Sequence, residues 1–175
     1  MKIISGWLEG VRQVPLNRYG ERQKPLDLSL VVIHSISLPP NHFGGPFIDA
    51  IFTGTLDPLK HPFFAQVYKL EVSTHIFIDR FGKISQYVSF LDRAWHAGRS
   101  CFNGRKECNE YAIGIELEGC DYCSYTIEQY KSLDEVLDAI YKAYPKTLGN
   151  IVGHNEIAPT RKTDPGPYFN WSRYR

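Results

Sequence analysis

The stretch "VVIHSISLPP", residues 31–40, is the most informative in the chain. Val31, Val32 and Ile33 are consecutive β-branched residues, the pattern of a strand buried on both faces in a parallel sheet. The apolar run breaks at His34, and Ser35, a short polar stretch and Pro39-Pro40 come next. The predicted strand, 29–34, therefore ends by placing an imidazole at its tip. The pattern recurs in "GNIVGHNE", where a short strand over 150–153 again ends in histidine, His154. In open α/β sheets the carboxyl edge of the strands is where ligands bind.

Between these two strands, residues 74–88 read as a hairpin, "THIFID" and "KISQYV" joined through "RFG". "YAIGIELEG", 111–119, is a further strand with period-two alternation. Tyr111, Ile113, Ile115 and Leu117 share its core face; Ala112, Gly114, Glu116 and Glu118 share the other. Small residues beside acids predict a floor that another group approaches closely. A helix is predicted over 127–144, with Thr126 and Gln129 as a capping box and Pro145 as its stop. Its apolar stripe comprises Ile127, Tyr130, Leu133, Leu137, Ile140, Tyr141 and Tyr144. Residues 38–62 form a long proline- and glycine-rich stretch, of the kind that is functional or ordered by short helices.

The bulk numbers restrict the class. A chain of 175 residues with no repeat or linker predicts one domain over 1–175. A formal charge of +1 argues against a nucleic-acid partner. No apolar run reaches membrane-spanning length, and the N-terminus lacks a secretory pattern, so the expected compartment is the cytoplasm. Cys101, Cys108, Cys120 and Cys123 fit a zinc ribbon poorly, and four reduced thiols are expected.

His34 and His154, with Asp164 ten residues further on in the proline-braced "RKTDPGP" loop, make a possible two-histidine, one-carboxylate metal set. Spacing alone leaves open the alternative of ordinary hydrogen-bonded histidines. His42, His61, His75 and His96 are read that way. Trp95 could stack on a sugar or fill core, with the groove wall favoured by its small neighbours. Glu118 is expected to be solvated, and Asp79 and Arg80 to belong to the hairpin turn.

"VVIHSISLPP", "FGGPFIDAIFTGTLDP", "STHIFIDRFGKISQYVSFLDRAWHAG", "YAIGIELEG" and "GHNEIAPTRKTDPGPYFNW", in this order, resemble the AmpD-type 1,6-anhydro-N-acetylmuramoyl-L-alanine amidases. These belong to the superfamily of zinc amidases and peptidoglycan recognition proteins. The resemblance runs from about Trp7 to Trp171 and implies a single α/β (α+β) domain with a central mixed sheet flanked by helices. It further implies one Zn2+ held by His34, His154 and Asp164, with Glu116 as catalytic base and Lys162 as the active-site lysine. The implied reaction cuts the amide between the lactyl group of N-acetylmuramic acid and L-alanine during cytoplasmic peptidoglycan recycling. The implied partner is a small muropeptide, met by a monomer, with no nucleic acid or membrane involved. Ser35 stands where many relatives carry asparagine, and Glu71 and Glu107 where some carry arginine. Ser35, Trp95, Arg105 and Arg161 are the candidate substrate contacts, with Lys106 a further basic residue. The rival readings are a non-catalytic muropeptide-binding module, which typically lacks a zinc ligand, and a phage-like amidase, which often has cysteine as third ligand.

Overall fold

The computed structural model describes residues 1–175. Its centre is a six-stranded sheet. In chain order the strands are β1 (Arg12–Gln13), β2 (Leu30–Ile36), β3 (Ile76–Ile78), β4 (Ile84–Gln86), β5 (Ala112–Glu118) and β6 (Ile151–Gly153). They lie in the order β6–β2–β5–β3–β4–β1. Only the β3–β4 hairpin is antiparallel, so the sheet is mixed. The two longest strands, β2 and β5, sit side by side near the middle, and both are almost wholly buried. That burial on both faces is why their sequences carry so little polar alternation.

Strand β2 continues two residues beyond His34. Parallel pairing pulls it on, because Ser35 and Ile36 still face Leu117 and Glu118 of β5. His34 is thus a strand residue, whereas His154 is the first residue of a short helix directly after β6, α4 (His154–Ile157).

Each sheet face is covered differently. Helix α3 (Ile127–Ala143) lies over Val31, Ile33, Ile113, Ile115 and Leu117 through Leu133, Val136, Leu137 and Ile140. Its N-terminus carries the capping box, with Thr126 Oγ1 accepting from Gln129 N at 3.0 Å. Ile127 departs from the expected stripe and is exposed. On the opposite face two smaller clusters form. One gathers Leu30, Val32, Ala112 and Val152; the other gathers Leu38, Phe77, Tyr87 and the helix α1 (Phe47–Thr53), with Ile36 packed against it. Helix α1 and a short turn, α2 (Phe64–Val67), give order to the long proline-rich stretch and to the residues just beyond it. His34 and Glu116 occupy the positions along β2 and β5 between these two clusters.

Candidate metal centre and active site

His34 and Glu116 are direct register partners in the parallel β2–β5 pair. Neighbours in register project to the same side of a sheet, so both side chains leave the floor together. From the end of β6, α4 brings His154 alongside. The loop after it returns Asp164, whose carbonyl accepts from Asn155 N at 2.9 Å. His34 Nδ1 and His154 Nδ1 lie 2.9 Å apart, and Asp164 Oδ2 is 3.2 and 3.1 Å from them. Three ligand-type atoms thus converge within 4.8 Å of one another.

This set fits a zinc ion. Bonds of about 2.0–2.1 Å in tetrahedral geometry space the ligand atoms about 3.3 Å apart, close to the separations seen here. Ligation also needs neutral imidazoles and an ionised carboxylate. Burial pushes His34 down to about 4, so its ring is neutral at pH 7. Burial works to raise Asp164, but its two imidazole neighbours, His154 and His34, outweigh it and hold the carboxyl below the usual carboxylate range.

Glu116 is in the opposite state. It is half-buried, yet its Oε2 is sealed from solvent and has no hydrogen-bond partner. Desolvation, and then the charge of Asp164, push its pKa well above the ordinary value, with Lys162 opposing them. Two carboxyl groups beside one another are therefore driven apart in proton affinity, the arrangement that separates a ligand from a base.

These groups open into a cavity of about 520 Å³. Ser35, Trp95, Arg161 and Lys162 line it, and Phe63, Val67 and Leu70 supply an apolar wall that the residue pattern did not reveal. Trp95 is half-buried, with the Arg93 guanidinium 4.2 Å over its ring. Arg161 is tied by Nη2 to the carbonyls of Ala97 and Arg99, at 2.7 and 3.1 Å. Arg105 is not on this cavity: it pairs with Asp27 at 2.8 Å and lies 3.8 Å over the Tyr111 ring. Glu71 borders an adjoining depression with His154, Arg161 and Lys162, while Lys106 and Glu107 are exposed elsewhere.

Two expectations need correction. Glu118 is not solvated: it is 2 % exposed and its carboxylate accepts from Gly44 N and Arg80 N, at 2.5 and 3.0 Å. It ties the long loop and the hairpin to the strand end. Cys120 and Cys123 are not free thiols but a disulfide, leaving Cys101 and Cys108 unpaired. The turn closed by Cys123 N on Cys120 O brings their Cα atoms to 5.3 Å, within bonding range. The floor at Gly114 is approached closely, as expected, but by the buried His96 ring.

The family described as N-acetylmuramoyl-L-alanine amidase matches residues 24–167. The 1,6-anhydro-N-acetylmuramyl-L-alanine amidase AmpD of Escherichia coli K12 is 53 % identical over 175 residues, covering 100 % of this chain and 96 % of the relative. A crystal structure of a selenomethionine AmpD derivative superposes with a TM-score of 0.97 at 52 % identity, covering 100 % of this chain and 98 % of that one. The E. coli amidase AmiD, solved with anhydro-N-acetylmuramic acid-L-Ala-D-γ-Glu-L-Lys, gives a TM-score of 0.63 at 27 % identity, over 85 % of this chain and 56 % of that one.

Proposed function

Because the chain belongs to the N-acetylmuramoyl-L-alanine amidase family, we propose that it hydrolyses the amide between the lactyl group of 1,6-anhydro-N-acetylmuramic acid and L-alanine, using one zinc ion held by His34, His154 and Asp164. The observation that carries this reading is the convergence of three ligand atoms beside a carboxylate whose Oε2 is buried and unpartnered.

A zinc ion bound there supplies Lewis acidity and water activated at neutral pH. The chain's own residues handle the protons. Glu116, with its raised proton affinity, accepts the proton of the attacking water and returns it to the departing L-alanine amine. Lys162, on the cavity wall, faces the negative charge that develops on the carbonyl oxygen. The apolar wall and Trp95 offer surface for the sugar, while Arg161 and Ser35 border the same space. Arg105, turned toward Asp27, has no part in this reading. The whole chain forms the amidase domain, because Leu8 and Trp171, outside the matched residues, join the same core as β2 and α3. All five groups come from one chain, so a monomer suffices. Such a substrate places the reaction in cytoplasmic peptidoglycan recycling, and no helix is long and apolar enough to cross a membrane.

A binding module of the same fold would gain nothing from three converging ligands beside a desolvated base. A phage-like lytic amidase is disfavoured by Asp164 as third ligand. The test is a defined anhydromuropeptide mixed with zinc-analysed protein, with products identified by mass. Free peptide and anhydro-sugar should appear, at about one zinc per chain, and a chelator should stop the reaction. An uncut substrate, or cutting by metal-free protein at an undiminished rate, would overturn the proposal.

A further inference from the structure

An imidazole has two nitrogens, and a histidine can present one to a metal only if the other carries the proton. His34 and His154 both turn Nδ1 inward. Their outward nitrogens go to two consecutive residues. His154 Nε2 lies 3.2 Å from the carbonyl of Ala97, which can only accept, so that nitrogen carries the proton. His34 Nε2 lies 3.0 Å from Nδ1 of His96.

His96 is a costly residue if it serves only to fill space. It is 8 % exposed, its Nε2 is buried without a partner, and its one side-chain hydrogen bond is to His34. Its position is fixed from two sides. Asn109, itself buried, accepts through Oδ1 from both His96 N and Ala97 N, at 3.2 and 2.8 Å. On β5, the missing side chain of Gly114 makes room, since a Cβ there would stand 2.5 Å from the His96 ring.

We infer that the His96–Ala97 turn is the orienting frame of the metal centre: His96 Nδ1 and the Ala97 carbonyl hold His34 and His154 as Nε2–H tautomers, leaving both Nδ1 lone pairs free for the ion. His96 is a positioning residue: it borders the cavity but supplies no ligand atom to the ion, and it acts through His34. The inference rests on the zinc reading of His34, His154 and Asp164. Outer partners of this kind typically account for about 10–100-fold in metal affinity.

The test measures zinc affinity by competition with a chromophoric chelator, beginning with the wild-type protein. His96→Phe keeps a ring but removes the acceptor, and zinc should bind roughly 10–100-fold more weakly. His96→Asn places an amide oxygen where Nδ1 stood and should recover most of that loss. Should His96→Phe fail to fold, nitrogen-15 spectra of zinc-loaded wild-type protein decide, with both ligand histidines expected to carry their proton on Nε2. Unchanged affinity in His96→Phe, an Asn variant as weak as Phe, or a proton on His34 Nδ1 would overturn the inference while leaving the metal centre standing. Wild-type protein that binds no zinc would remove the metal centre and the inference together.

Discussion

A carboxyl group partly shut away from water gives up its proton reluctantly, and Glu116, with its Oε2 buried, is such a group. In its proposed role as base it works only when ionised, so activity should fall as the pH drops through its raised pKa. The acidic limb of kcat/KM should therefore lie above the ordinary glutamate value of about 4.3. Removing the neighbouring cation in Lys162→Ala should move that limb higher, because Lys162 opposes the rise. The same variant should lose roughly 10²–10³-fold in kcat, and Glu116→Gln about 10²–10⁴-fold, with zinc retained in both by elemental analysis. A zinc-replete Glu116→Gln enzyme with near wild-type turnover would remove Glu116 as the base. Among single residues the triad was legible as a candidate, because two apolar runs each delivered a histidine and prolines braced Asp164, and the family resemblance chose it over ordinary hydrogen-bonded histidines. His96 was not legible, since its meaning depends on His34, 62 positions away in sequence, and on the absent Cβ of Gly114. Glu118 was misread for a related reason. Alternation gives the face of a strand but not what later segments lay over it, here Gly44 and Arg80.

The elements owe their stability to burial more than to local preference, and α3 separates the two contributions. Thr126→Ala removes the N-cap hydrogen bond and should lower unfolding free energy by about 1 kcal/mol. Leu133→Ala, at a fully buried position beneath the sheet, should cost about 2–5 kcal/mol. Urea denaturation of the two variants checks the order; equal losses would mean that α3 is held by its end rather than its face. The capping box and apolar period made this helix readable in advance, apart from Ile127, whose exposure comes from its place in the first turn beyond the packed stripe. The extension of β2 past His34 could not be read locally. Ser35 and Ile36 are held extended by Leu117 and Glu118, so the strand's end is a property of the pair.

Across the molecule as a body, the active face carries imidazoles that folding keeps unprotonated. Burial, and then Arg22, lower His75; burial, and then neighbouring imidazoles, lower His96. The unfolded chain takes up these protons near pH 6.5 while the folded chain does not, so metal-free protein should lose stability as the pH falls below about 6.5. Glu116 works in the other direction, as one carboxyl against three imidazoles, since burial lowers His34 as well. Thermal melting of the apo protein between pH 7.5 and 5 checks the sign, and a flat profile would contradict it. Thiol titration of unfolded, unreduced protein should count two groups, Cys101 and Cys108; four would deny the Cys120–Cys123 bond. The mixed sheet with flanking helices came from the family resemblance, whereas the division of one sheet face into two apolar clusters with a polar gap emerged only in three dimensions. The register that pairs His34 with Glu116 has a corollary. Neighbouring strands stand about 4.8 Å apart whatever their loops contain, so the spacing between His34, the proposed ligand, and Glu116, the proposed base, goes with the backbone ladder. The wall bearing Phe63, Val67 and Leu70 belongs to a separate excursion of the chain. Insertion or exchange in that wall can therefore change the shape of the cavity without disturbing the spacing of His34 and Glu116.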